Sequence, residues 1–408
     1  MSVLLRTATM HQQTDPARLR TELRELAAQH GLAVASVTSG ADFDGLDQHL
    51  SDHIDSGHTE GMDWFNHERA TVAAVPRMLH PTVQSIISVG IPYYRSDLEP
   101  PLDGRKRGRI ARYAWGVDYH HTLKSRMRWL LTSIEQLVGR KIEARLLVDT
   151  ARMVDRAVAQ RSGLGWFGKH SNIIVPNHSS FVMLGEMLID IEIETDAPIE
   201  KNCGRCSICM DRCPTNAIVA PYTVHSPRCI SFQTIEQRES IPTGLRPLLG
   251  SWVFGCDICQ EVCPYTGAAR SLADEAFAPK TVDNAFPSLS WLLAMTGTEF
   301  RAVYGGTAVM RAKRRGLARN AAIVLGNIGD ADDRQALTTA VRQHDECLVR
   351  AHAAWALGRI GGSRSRAALS EASRQDPDST VRREAMQALE GIVRSDYPAQ
   401  IISLRMVQ

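Results

Sequence analysis

Eight of the nine cysteines of this 408-residue chain fall between Cys203 and Cys263, and no other feature limits so strongly what the chain can become. Its first residues, "MSVLLRTATMHQQTDPARLR", carry neither an apolar leader core nor a twin arginine. Thiols at this density in a chain without a leader point to metal ligation rather than to disulfides. No apolar run reaches the roughly 18 residues of a membrane span, and "FVMLGEMLIDI" is interrupted by Glu186 and Asp190. A cytoplasmic protein with no membrane partner is the expectation.

The first group, "CGRCSICMDRCP", is Cys203, Cys206, Cys209, Cys213 and Pro214. This C-x2-C-x2-C-x3-C-P run holds a [4Fe–4S] cluster in bacterial ferredoxins. The second, "CDICQEVCP", supplies Cys256, Cys259, Cys263 and Pro264, with Val253 where a further cysteine would complete the run. In two-cluster ferredoxins the cysteine before the proline ligates the other cluster. Applied here, Cys263 joins Cys203, Cys206 and Cys209, while Cys213 crosses to Cys256 and Cys259. The second set needs one more thiolate, and Cys229 in "HSPRCISF" is the cysteine left in the region. Paired zinc knuckles also use CxxC, but they do not require the triple spacing or C-x3-C-P. Cys347, far downstream, reads as a plain buried thiol. Two interlocked clusters pass single low-potential electrons, so the rest of the chain should hold a redox partner or a substrate.

At this length two or three domains are expected. Residues 1–198 read as α/β, a mixed sheet flanked by helices: apolar runs such as "SIISVGI", "ARLLV" and "FVMLGEMLIDIEI" alternate with helical stretches such as "DYHHTLKSRMRWLLTSIEQLVG". The loop "GLGWFGKH" (163–170) is glycine-rich beside two aromatics, which suits either a close approach to a ligand or a tight turn. Residues 199–270 form the double-cluster, ferredoxin-like module. Residues 285–408 carry "LARNAAIVLGNIG", "VRAHAAWALGRIG" and "VRREAMQALEGIV" at a spacing of 32, the mark of a HEAT-like α-solenoid. Net charge is only +2, so contact with nucleic acid has to come from local patches. "RAKRRGLAR" (Arg311, Lys313, Arg314, Arg315, Arg319) and "GRKRGRIAR" (Arg105, Lys106, Arg107, Arg109, Arg112) are the candidates, against the plainer reading of solvated charged faces.

Taken together, "RYAWGVDYH", "VDTARMVDRAVAQRSGLGWFGKH", "CGRCSICMDRCPTNAI", "RCISFQTIE" and "GCDICQEVCP" resemble the epoxyqueuosine reductases over nearly the whole chain. The resemblance implies a cobalamin-binding α/β domain, two [4Fe–4S] clusters with the ligand sets given above, and a HEAT-like tail. It implies the last step of queuosine synthesis, in which the epoxide on a modified wobble base of tRNA is reduced to the alkene with loss of water. Asp149 matches the family's proton donor, although alone it reads as the cap of a following helix. A secluded carboxyl of raised pKa would serve that role. Arg156 matches a second polar residue of the site. Tyr113, Asp118 and His120 match residues close to the cofactor, and Lys169, Ser231 and Asp257 are further corrin-side candidates. Arg311, Lys313, Arg314 and Arg319 match the part expected to grip tRNA phosphates. "DYHHTL" has Leu123 where a D-x-H-x-x-G cobalt-ligand signature requires glycine, so no protein ligand to cobalt is expected. Arg152 and Asp155 depart from the usual Pro and Glu, and "TVAAVP" lacks a common Arg that Arg69 or Arg77 could replace. The implied partners are tRNA and a low-potential donor of flavodoxin or ferredoxin type, with a monomer sufficient. A reductive dehalogenase and a plain electron-transfer module are the rival readings.

Overall fold

The computed structural model describes residues 15–267 and 273–396. The N-terminal stretch up to residue 14 and the expected domain ends at 1, 270 and 408 therefore lie outside the described residues. The first helix, α1 (Pro16–Gln29), starts where Asp15 accepts the Ala17 N–H and Pro16 supplies a preset φ. Its period of three to four residues buries Leu19, Leu23 and Ala27.

Four strands make the central sheet: β1 (Val34–Ser39), β2 (Ser85–Pro92), β3 (Ala144–Leu147) and β4 (Val182–Ile189), in the spatial order β1-β2-β4-β3. Helices flank it as expected, but every pairing is antiparallel, where the sequence suggested mixed directions. Strands covered on both faces read as unbroken apolar runs whichever way they point, so the sequence carries burial without direction. On one face Ile87, Val89 and Ile91 pack with α1 and with α2 (Tyr119–Val138). On the other, Ile86 and Leu188 meet Val158 of α3 (Asp155–Arg161).

In the cysteine module two single-turn helices, Ile208–Asp211 and Ile258–Glu261, pack against each other. The strand Trp252–Phe254 pairs in parallel with Arg109–Ile110 from the first region. After several short α-helices, the last of them Gly297–Tyr304, come α4 (Lys313–Ile328), α5 (Arg334–Gln343), α6 (Cys347–Ile360), α7 (Ser363–Gln375) and α8 (Ser379–Asp396). The 32-residue pattern lies on α4, α6 and α8, where Ala321, Ala353 and Ala385 are wholly buried. This helical stack does not hang on a linker. One hydrophobic core joins Ile110–Trp115, Ile230, Trp252–Phe254 and α4–α8. Within it the Asn320 amide donates to the carbonyls of Thr234 (2.9 Å) and Val253 (2.8 Å). Cys347 is exposed rather than buried: it opens α6, and Val349 two residues on takes the inward position. Among the described residues no helix is long and apolar enough to cross a membrane.

Candidate active site

A cavity of about 1130 Å³ opens between the α3 side of the sheet and the cysteine module. Its lining includes Asp149, Arg156, Tyr113, Ser231 and Asp257, and also Cys213, Cys229, Cys256 and Cys259. All four cysteines of the second set thus face the cavity, and none of the first set does.

The nine cysteines are all unpaired. The electrostatic neighbours of several of them fall mostly within the two expected sets. Burial, then Cys203, Cys263 and Cys206, push the Cys209 thiol up to about 11. Burial and then Cys229 and Cys259 raise Cys256, and Cys229 in turn is raised by burial and Cys213. Cys259 feels Cys229, Cys209 and Cys213, so it stands where the sets interlock. Backbone N–H groups already point at these sulfurs: Ala217 donates to Cys213 Sγ at 3.3 Å, and Phe232 and Ser231 serve Cys229. Bare thiolates are costly side by side in so dry a site, and bonding to the iron of a cluster would offset that charge while the N–H donors serve the ligated sulfurs. The donor set fits two [4Fe–4S] clusters.

Asp149 ends the chain segment leaving β3 and adopts a left-handed backbone, φ 44°. Its N–H donates to Asp155 Oδ2 (2.9 Å), the Tyr119 hydroxyl donates to its Oδ2 (2.6 Å), and His120 Nε2 stands 3.6 Å from the same oxygen. Burial and then Asp149 keep the Tyr119 phenol protonated far above its ordinary range, so it remains a donor. Asp149 is therefore not the helix cap it resembles; Val154 precedes α3 without a side-chain cap bond. Its side chain is 57% exposed toward the cavity, and the dry carboxyls sit one step deeper, at Asp155 and Glu186. Arg156 Nη1 donates to the Ser171 carbonyl (2.8 Å). Arg69 donates to the carbonyls of Asp149 (3.5 Å) and Ala151 and lines the cavity, so of the two proposed substitutes it is Arg69, not Arg77, that reaches the site.

Several expected positions fall elsewhere. Asp118 caps α2 and holds the His120 ring (2.8 Å), and neither lines the cavity; His120 reaches it through Asp149. Asp257 lines the cavity, but its carboxylate takes the Arg112 N–H and guanidinium. Lys169 lies off the cavity, donating to the Gly204 carbonyl beside the first cysteines (2.8 Å). The glycine loop is a tight hairpin that also reaches the cavity: Trp166–Phe167 pairs with Ile173–Ile174, a Cβ on Gly165 would sit 2.6 Å from the Ile174 carbonyl, and Phe167 and His170 are in the cavity lining. Arg319 cannot meet phosphate. It is 1% exposed and donates to the carbonyls of Gln233, Gln237 and Glu239, because α4 turns that position inward. Arg311 and Lys313 are exposed, while Arg314 is tied to Asp345. The 105–112 stretch is spent on ion pairs with Asp103, Asp330, Asp283, Glu261 and Asp257. Sequence reasoning passed over Tyr119, although it stands between two residues singled out, and Glu186.

Residues 74–150 match the family model "Epoxyqueuosine reductase QueG, DUF1730", residues 202–266 the "4Fe-4S double cluster binding domain" and residues 307–390 "HEAT repeats". The epoxyqueuosine reductase of Escherichia coli (strain K12) is 36% identical over 320 residues, which is 78% of this chain and 83% of that one. The chain belongs to the epoxyqueuosine reductase family. A crystal structure of an epoxyqueuosine reductase with an epoxyqueuosine-modified tRNA-Tyr stem loop superposes at TM-score 0.86, with 31% identity, over 92% of this chain and 99% of that one. The Bacillus subtilis epoxyqueuosine reductase, solved with its catalytic aspartate loop swung out of the active site, gives 0.84 at 30% identity over 92% and 99%. Like its family, the chain is an oxidoreductase carrying a double [4Fe–4S] module and a HEAT-repeat tail.

Proposed function

We propose that this chain reduces the epoxide of epoxyqueuosine in the anticodon loop of tRNA, with Asp149 as proton donor and cobalamin seated in the cavity. One observation carries the reading: a single cavity holds Asp149 and the whole second cysteine set in its lining. At about 1130 Å³ it exceeds the roughly 300–1,000 Å³ of ordinary small-ligand sites, which suits a macrocycle. Tyr113, Ser231 and Phe167 would hold it. Bound there, cobalamin would supply a low-potential metal centre of high nucleophilicity.

The overall change is epoxide plus two electrons and two protons, giving alkene and water. Asp149 protonates the departing oxygen, and the Tyr119 hydroxyl and His120 keep its carboxyl turned toward the cavity. Arg156, on the same wall, steadies the substrate. Arg311 is held charged first by its bond to Glu236, and the Asp149 carboxylate adds to that effect, so the exposed Arg311–Lys313 stretch lies within electrostatic reach of the cavity. These two residues, with Arg314 at the edge, are the phosphate contacts we assign.

Electrons enter at the first cysteine set, which lies off the cavity, and leave from the second, which lines it. The loop around the first set is exposed at Arg205, Ile208 and Arg212. A small acidic one-electron carrier fits this basic rim.

The test is anaerobic turnover of epoxyqueuosine-containing tRNA by cluster-loaded protein with cobalamin. Asp149→Asn is expected to lower kcat about 10²- to 10⁴-fold with iron content unchanged. Equal turnover by both proteins would remove Asp149 from its role.

A further inference from the structure

Glu186 is out of place in its surroundings. It stands in the middle of β4, between Ser88 of β2 and Leu147 of β3, with 0% exposure. Among the described residues no N–H or O–H donor reaches either of its oxygens. The group it faces is the carboxyl of Asp155, at the first position of α3, the helix that packs on β4. Two carboxylates in contact away from water cannot both be ionised, so one proton lies between them.

The surroundings decide which partner keeps it. Asp155 Oδ2 already accepts the Asp149 N–H at 2.9 Å, and the Arg156 charge favours the Asp155 anion. Asp155 Oδ1 is enclosed and has no other partner. Glu186 has no cation beside it. The proton therefore sits on Glu186 and points at Asp155 Oδ1. Burial first, then the neighbouring Asp155 charge, hold the Glu186 carboxyl well above the usual range, and burial brings Asp155 to about 6.

We propose that Glu186, in its protonated form, is a positioning residue for the proton donor: it anchors Asp155, which in turn holds the backbone N–H of Asp149. The reason such an anchor is needed is local. Asp149 sits at φ 44°, a region a non-glycine residue keeps only when its neighbours over-determine it. Arg69 grips the carbonyls on the far side of the same turn. The chain Glu186–Asp155–Asp149 N–H is the interior half of that grip, running from a rigid central strand to the loop that carries the acid.

The inference rests on Asp149 being the proton donor, and its test separates the two. Glu186→Leu keeps the volume and removes the donor. Since an apolar residue suits an apolar strand, the variant is expected to be as stable as the parent or more so. Its kcat is expected to fall about 10- to 100-fold with little change in KM, because the acid is misplaced while tRNA binding is not. Glu186→Gln, which still donates, restores most of kcat. Independently of turnover, infrared difference spectra of the cluster-loaded full chain at neutral pH should show a protonated carboxyl band that Glu186→Gln lacks. Wild-type kcat in Glu186→Leu, or no such band, overturns the proposal even if Asp149→Asn is inactive. Should Glu186→Leu fail to fold, the band and the Gln variant decide.

Discussion

Within "RAKRRGLAR" the residues look equivalent on paper and are opposites in space. Arg311 and Lys313 precede or open α4 and stay exposed, whereas Arg319, two turns in, is threaded into the core and satisfies three carbonyls. Charge is legible in a sequence; the direction in which a helix presents it depends on what the helix packs against. Two outcomes separate the roles. Arg319→Ala strips donors from the carbonyls of Gln233, Gln237 and Glu239, each worth about 1–3 kcal/mol when left unpaired. Chemical denaturation should show a loss of several kcal/mol. Arg311→Gln with Lys313→Gln should leave the unfolding midpoint in place and weaken tRNA binding instead. The slope of log K against log salt should become shallower by roughly 0.7–0.9 for each phosphate that the protein no longer neutralises. A slope unchanged in the double variant would free both residues from that assignment.

At the scale of elements, the signals legible in the sequence are periodic or local. The cysteine spacing suggests two ligand sets; Cys209–Cys263 and Cys213–Cys229 are electrostatic neighbours within them, and Cys259–Cys209 is one across them. Asp15 and Asp118 cap the helices they precede. What the sequence does not mark are pairings across long separations: Trp252–Phe254 on Arg109–Ile110, or Glu186 against Asp155, since neither partner marks its own segment. The helical repeat offers a check of its own. A Cβ on Gly358 of α6 would lie 2.7 Å from the Ala388 Cβ and 3.1 Å from its Cα, so α6 and α8 touch backbone to backbone there. Gly316 of α4 has Ala312 Cβ no closer than 3.7 Å. Both sit in helices, where glycine costs about 1 kcal/mol relative to alanine. Gly316→Ala should therefore raise the melting temperature slightly. Gly358→Ala should lower it, overpacking costing about 1–3 kcal/mol and outweighing the helical gain. Equal melting temperatures for the two variants would mean that the α6–α8 packing yields freely.

At the scale of the molecule, direction follows from which cysteines see the cavity. Cys213, Cys229, Cys256 and Cys259 line it, and Cys203, Cys206, Cys209 and Cys263 do not. On the proposed reading, electrons bound for the cavity arrive at the first set. Around that set Lys201 lies over the Trp166 ring (4.7 Å), and Lys169 reaches Gly204. Arg205 and Arg212 are exposed and, among the described residues, have no acid within ion-pair distance. Glu200 and the Ser207-bonded Asp211 are the acids nearby in sequence, too few to cancel the four cations. A rim of this sign speeds encounter with an acidic protein donor and does little for a small reductant that reaches the cluster by diffusion alone. Arg205→Glu with Arg212→Glu is therefore expected to slow cluster reduction by flavodoxin about tenfold or more at low salt, with the difference fading as ionic strength rises. Reduction by dithionite should change far less, because its access does not depend on docking. Stopped-flow bleaching of the iron–sulfur absorbance reads both. If flavodoxin and dithionite slowed alike, or flavodoxin not at all, the entry point would lie elsewhere on the surface.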